Sequence, residues 1–392
     1  GNTVDIGFEP SYIMIKRSGG TASWAVFDSM RGIVSEGNDP VLQPDVNSAA
    51  STTTQYLDLT PRGFRLKGSY NQINANEDGY AYIAVRRSDG YVGKPPELGT
   101  GVFAMDTGAG STTIPNFDSG FPVDFTFMRN PSSSMSWYTY SRLTQGRELE
   151  LNSSGSEGGA SDYTFDSNVG WGKGGDSSSI QSWMWKRGAG FDVVTYKGNS
   201  TSGHQIPHSL NAVPEMIWIK NRDNAAEWWA VYHKGLNGGS NPEQYYLKLN
   251  ENNDEDADTA LWNDTAPTST HFTIGNQDAV NYPTQKHIAM LFASVDGISK
   301  VGYYDGSNSS QTITTGFQPR FVIIKSTTAN YPWQVLDTTR GWGSGDDKVL
   351  YLNGANAQAS HDYGAPTSTG FTLTSSDYYN ISGEKFIYYA HA

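Results

Sequence analysis

Residues 213–233 read VPEMIWIKNRDNAAEWWAVYH. A strand-like run, 216–220, ends on a basic residue, a short polar turn follows, and a second strand opens on Trp228. The pattern occurs four times. Lys16, Arg129, Lys220 and Lys325 each end such a run, and Trp24, Trp137, Trp228 and Trp333 each lie eight residues further on. The aligned segments need no gap: GFEPSYIMIKR (7–17), GFPVDFTFMRN (120–130), NAVPEMIWIKN (211–221) and GFQPRFVIIKS (316–326). Self-similarity at this period marks tandem structural units.

Other strands recur around this pair. An alternating strand follows it as Tyr56-Leu-Asp-Leu59, Glu148-Leu-Glu-Leu151, Tyr246-Leu-Lys-Leu249 and Leu350-Tyr-Leu352. A weaker strand comes next, as in GFRLKG (63–68) and GFTLTS (370–375), and each unit closes on an aromatic run such as HIAMLFA (287–293). Three units also open with a strand: GVFAMD (101–106), FDVVTY (191–196) and ISKVGYY (298–304). Each unit therefore holds about seven short strands between Gly, Asn, Asp and Ser turns, with no convincing amphipathic helix. Period-2 alternation in LELN and LKLN reads as half-buried antiparallel strands.

The expected fold is all-β, four tandem antiparallel β-sandwich repeats of jelly-roll or lectin-like type, each about 90–105 residues. Their boundaries are 1–89, 99–189, 190–296 and 297–392, with a Pro-containing spacer at 90–98. A propeller blade is too small for such a unit. The first unit lacks an opening strand, so an edge or groove should stay uncovered unless upstream chain or another subunit's strand fills it. The joints at 188–190 and 294–297 are short, which predicts a rigid string of sandwiches.

Composition narrows the function classes. The net charge of -13 argues against duplex nucleic acid or anionic lipid as the main partner. Cysteine is absent, which excludes disulfides and thiolate metal sites. No run approaches the ~20 apolar residues of a membrane helix, so no membrane insertion is expected. No signal peptide is evident, and a chain opening on Gly1 reads as a processed or partial product.

The shared positions, Trp24, Trp137, Trp228, Trp333 and the basic residues Lys16, Arg129, Lys220 and Lys325, read as fold anchors. A Trp at a strand start fills an intersheet gap, and the basic stem lies on it or meets an edge carboxylate. Function is sought where the units differ. Trp229, Trp262, Trp171, Trp342 and the pair Tyr378 and Tyr379 are unshared and sit among Asn, Asp and Gly. Flat rings in such loops suit carbohydrate, with subunit packing as the other use. Asp254, Asp256 and Asp258 alternate like the first ligands of a calcium loop, but the glycine and glutamate of an EF-hand are missing. A calcium ion there is the one cofactor the sequence suggests; none is otherwise expected. No catalytic residues are assigned. His204 and His208 lie four apart but outside any helix or HExxH context.

Several of these stretches carry a resemblance. GFEPSYIMIKR…WAVFDSMRG, AYIAVRRSDG…KPPELGTGVFAMD, IPHSLNAVPEMIWIKNR…WWAVYHKGL, LWNDTAPTSTHFTIG and GFQPRFVIIKS…LDTTRG resemble the repeat of tail-fibre-like structural proteins of marine bacteriophages. The second unit departs most, with Val123 where the other units have proline. The resemblance implies a non-enzymatic, virion-exposed, extracellular protein, a homo-oligomer and, if a fibre, a homotrimer, with other virion proteins and a host surface polysaccharide as partners. Two readings follow from it and from the residues. One is a fibre or adhesion protein binding glycan through loop aromatics. The other is a structural tail, decoration or filament subunit that assembles through edge strands or loop contacts. A polysaccharide depolymerase would need two convergent acids in a groove.

Overall fold

The computed structural model describes residues 2–87, 98–159, 161–374 and 378–392, so most of the proline spacer lies outside the described residues. The fold is all-β, with one four-residue α-helix among the described residues, Asp278–Asn281, and short 3-10 turns. The large sheet of the third unit runs Phe191–Lys197, Lys286–Phe292, Met216–Asn221, Ala230–His233, Tyr245–Lys248, Asp256–Ala257 in spatial order. All of its neighbours are antiparallel. The fourth unit repeats the order with Ser299–Asp305, Lys385–His391, Phe321–Ser326, Gln334–Asp337, Asp347–Tyr351 and Ala359–His361. The second has five strands: Phe103–Thr107, Gln181–Trp185, Phe125–Arg129, Tyr138–Ser141 and Gln145–Glu150. A small sheet covers each large one, for example His204–Pro207 with His271–Ile274 in the third unit. The turn before each anchor strand needs a left-handed backbone, supplied by Gly7, Gly120, Gly316 and, in the third unit, Asn211.

The anchor strand MIWIKN shows why these runs are apolar at every position. Ile217 and Ile219 face the small sheet and pack with Phe272 and Ile274. Met216 and Trp218 face the other way, into a core shared with the second and fourth units. Phe125, Phe127, Trp183 and Trp185 enter that core from the second unit, and Phe321, Ile323 and Tyr389 from the fourth. A strand buried on both faces reads as a continuous hydrophobic run. Aromatic contacts cross every seam: Phe125 to Phe191 at 5.5 Å, Phe292 to Tyr389 at 4.9 Å, and Phe103 to Phe321 at 5.2 Å.

The predicted string of sandwiches is therefore not what forms. Units two, three and four close into a ring with approximate threefold symmetry. Trp137 Nε1 donates to the Tyr351 carbonyl (2.8 Å), Trp333 Nε1 to the Lys248 carbonyl (3.0 Å), and Trp229 Nε1 to the Glu150 carbonyl (2.9 Å). Each bond runs to a different neighbour, from the second unit to the fourth, the fourth to the third, and the third to the second. A second cycle lies outside it. The amides of Glu157, Glu255 and Gln358 donate to the carbonyls of Arg222, Thr327 and Pro131 at 2.7–2.8 Å. It runs in the opposite sense: the donor lies six residues past the second leucine of its unit, and the acceptor two residues past the basic anchor of the unit whose tryptophan it receives.

Two alignments in the sequence reading need correction. The third unit's ring tryptophan is Trp229, fully buried, because its turn is one residue longer than the others. Trp228 is half-buried and stacks on Tyr246 at 4.8 Å. In the first unit, Tyr56-Leu-Asp-Leu59 belongs to the small sheet, where Leu57–Thr60 pairs with Gly63–Leu66. The true equivalent of the leucine strand is Val41-Leu42. Leu42 bridges Val26 as Leu350 pairs with Val335 and Leu247 with Val231. Pro40 and Pro44 hide that strand in the sequence.

The first unit stands outside the ring. Its large sheet has three strands, Ala25–Asp28, Pro10–Arg17 and Tyr80–Arg86. Among the described residues, Tyr80–Arg86 pairs only with Pro10–Arg17.

Candidate binding surfaces

The structure places the six loop aromatics mainly in the interior. Trp171, Trp229, Trp262, Trp342 and Tyr379 are all buried. Their polar atoms are satisfied internally: Trp171 Nε1 by Ser182 Oγ, Trp262 Nε1 by the Tyr245 carbonyl, Trp342 Nε1 by the Gly364 carbonyl, and Tyr379 Oη by the Asp362 carbonyl. A ring enclosed on both faces cannot stack on a sugar, so these five are corrected from candidate ligand residues to core. Tyr378 alone is open, 53% exposed, with Tyr331 beside it at 5.0 Å.

The acidic loop is likewise occupied with local structure. The Asp254 amide donates to Asn330 Oδ1 across the seam to the fourth unit. Asp256 accepts from its neighbour's amide and from Tyr246 Oη. Asp258 accepts from the Ala260 amide and from Gln277 Nε2. Among the described residues, no group of three His, Asp or Glu side chains could hold a metal ion.

The charged ends of the basic anchors meet carbonyl oxygens in place of the edge carboxylate, one of the two expected partners; the other, the tryptophan ring, is met by Arg129. Lys220 Nζ donates to the carbonyls of Asn221, Asn224 and Glu227 in its own turn. Lys325 Nζ donates to Ser326, Ala329 and, across the seam, Asn252. Arg129 lies over the Trp137 ring at 5.0 Å and reaches the carbonyls of Gly354, Ala355 and Asn356 in the fourth unit. Burial without a carboxylate partner pushes Lys220 down to about 8 and Lys325 down to about 7. Lys16 keeps the position in the first unit but donates to the Ala22 carbonyl, with no neighbouring unit at hand.

Three units meet at a buried ion-pair cluster. Arg187 pairs with Asp192 (2.6 Å) and with Glu9 of the first unit. Asp124 takes Arg87 (3.0 Å), Arg142 (3.1 Å) and the Arg187 amide (2.8 Å). Burial alone would raise the Asp124 carboxyl, but the three guanidinium charges outweigh it and hold it below the ordinary range. A cavity of about 330 Å³ lies beside the cluster, lined by Glu9, Asp28, Met30, Asp124, Arg142 and Arg187. The carboxylates there are committed to guanidinium groups, and the arrangement fixes the first unit to its neighbours.

What remains open is a face the sequence reading did not single out. Counting from the basic anchors, Tyr12 and Met14 occupy the positions of Met216 and Trp218. In register, Val85 and Ile83 pair with them as Phe292 and Met290 pair with those two. With Trp24 and Leu42 they form the first unit's copy of the surface that the other units bury in the ring. Ile83 is 58% exposed, Val85 50% and Leu42 37%, while Tyr12, Met14 and Trp24 are half-buried. The signal lay in the alignment itself, in apolar residues at ring positions of a unit with no partner.

A family model described as a domain of unknown function (DUF7483) matches residues 1–88 and 173–392. The unmatched stretch, 89–172, is most of the second unit. No curated protein and no solved structure matches the chain.

Proposed function

The chain belongs to the DUF7483 family, a domain of unknown function, and on that footing we propose that it is a non-enzymatic structural subunit that assembles through its first unit. Its repeats resemble those of phage tail-fibre-like proteins, so the assembly proposed is a virion-exposed one. The observation that carries the reading is the contrast between units. The apolar face that is buried in units two, three and four is open in the first. An exposed apolar patch of that kind marks an interaction surface. The test is light scattering of the full chain from low to high micromolar concentration, with particles examined by electron microscopy. Defined assemblies that dissociate when Ile83 is replaced by lysine support the reading. A monomer at every concentration overturns it.

One observation favours host-surface glycan binding as a second reading. Tyr378 is exposed beside the half-buried Tyr331, their rings 5.0 Å apart. Binding to host polysaccharide that is lost in Tyr378→Ala would favour adhesion; polysaccharide binding unaffected by that change would count against this pair.

A further inference from the structure

We infer that three copies of this chain join through their first units, around a true threefold axis, in the arrangement that units two, three and four adopt within one chain. The inference rests on the structural-subunit reading and adds the partner, the stoichiometry and the contacts.

The ring shows what covers this kind of face. Each large sheet of the ring turns its anchor, tryptophan, leucine and closing strands inward, and two further copies of the same surface cover them. The first unit presents these four elements in the same register, without the opening strand that adds Phe103, Phe191, Val193 and Val301 to the ring core. Its tryptophan is held as the ring tryptophans are. The Trp24 amide donates to Asp45 Oδ1 (3.1 Å), where Trp137, Trp229 and Trp333 donate to Asn152, Asn250 and Asn353 (2.8–3.0 Å). The acceptor side is also present. Tyr351, Glu150 and Lys248, whose carbonyls receive the ring bonds, each follow the first leucine of their strand, and Gln43 follows Leu42. In the trimer, Trp24 Nε1 of one copy donates to the Gln43 carbonyl of the next.

The outer cycle transfers in the same way. Its donor lies six residues past the second leucine position, which is Pro44 here, and its acceptor two residues past the basic anchor. The trimer therefore places the Ala50 amide of the copy that accepts from Trp24 on the Ser18 carbonyl of the copy that supplies that tryptophan. Lys16 would then face the neighbour's 45–48 turn, as Lys325 faces Asn252. Besides the missing opening strand, the departure is Pro44, which cannot repeat the amide bond that Leu352 donates to the Trp333 carbonyl.

A patch that binds its own kind head to tail closes only if the rotation returns to the start. The ring demonstrates that rotation for this surface, with three copies.

The chain has no cysteine, so a Ser18→Cys/Ala50→Cys double variant tests both contact and closure. Residues joined by a backbone hydrogen bond bring their Cα atoms within about 4.4–6.8 Å, the span of a disulfide. Under mild oxidation the double variant should give covalent trimers that stop at three, and the unmodified chain should sediment as a trimer. Val85→Glu should give monomers with unchanged circular dichroism, since Val85 is half exposed in the single chain. Dimers, the product of antiparallel pairing between two Tyr80–Arg86 edges, overturn the threefold arrangement but leave the structural-subunit reading standing. So does an open-ended ladder. Uncrosslinked monomer overturns both. Trimers that survive Val85→Glu and do not crosslink at 18 and 50 place the contact elsewhere and overturn the inference.

Discussion

Trp228 and Trp229 are adjacent in sequence and differ in consequence. Trp229 is fully enclosed and donates across a seam; Trp228 lies half-open on Tyr246. Truncating a buried tryptophan costs about 3–5 kcal/mol, through lost transfer energy and the cavity left behind. Urea denaturation should show a loss of that order for Trp229→Ala and under about 1.5 kcal/mol for Trp228→Ala. The seam between the third and fourth units also carries a proton-sensitive contact. His233 Nδ1 accepts from the Gly235 amide, so Nε2 bears the hydrogen given to the Tyr388 carbonyl. Burial pushes His233 down to about 3, and His391 and His287 to about 3 and 4. Because the folded pKa lies below the unfolded value, the unfolded chain takes up the proton first. The stabilisation is complete above about pH 6.5 and is lost as pH falls toward 3, at up to about 1.4 kcal/mol per unit for each group. The midpoint of thermal unfolding should drop across that window, and less steeply in His233→Gln.

At the scale of elements, the strands were legible and their partners were not. Apolar runs, basic ends and turn residues located the anchor and closing strands, because these signals are local. The leucine strand of the first unit was misplaced, because Pro40 and Pro44 erase its pattern while Leu57 and Leu59 imitate it. Burial of the loop aromatics could not be read either. An indole among Asn and Gly looks the same whether or not a sheet closes over it, and Trp262 and Trp342 are enclosed by the cores of their own units, on the carbonyls of Tyr245 and Gly364. The open face went unseen for the same reason: a string of separate sandwiches gives no cause to ask what lies on the second face of each sheet. One element-level prediction concerns the ion-pair cluster. Arg187→Met leaves Asp192 and Glu9 buried without their cation, at a cost of about 3–5 kcal/mol. Urea denaturation should show that loss. Partial recovery in the Arg187→Met/Asp192→Asn double variant would confirm that the stranded charge is its source.

At the scale of the molecule, one core serves three units. None of those units can leave without exposing the aromatic faces of the other two. Calorimetry should therefore show units two to four unfolding in a single transition, with equal calorimetric and van't Hoff enthalpies for that step. The first unit has its own core, built on Ile13, Phe27, Leu57 and Phe64, and is tied to the rest largely by charge. It should melt separately, at lower temperature when Glu9 is replaced by glutamine. Two resolved steps are the expected trace; four would show that the ring does not cooperate.

The ring also brings its two ends together. Gly99, where the second unit begins, lies against Ala392 at the close of the fourth, and the Ala392 amide donates to the Ile298 carbonyl. A circle whose ends touch has no obligatory first member. A permuted chain that opened at the joint between units two and three, with the old ends spliced, would trace the same three sheets. In such a body the linear order of units along a chain is a matter of history, and only the cyclic order is fixed by physics.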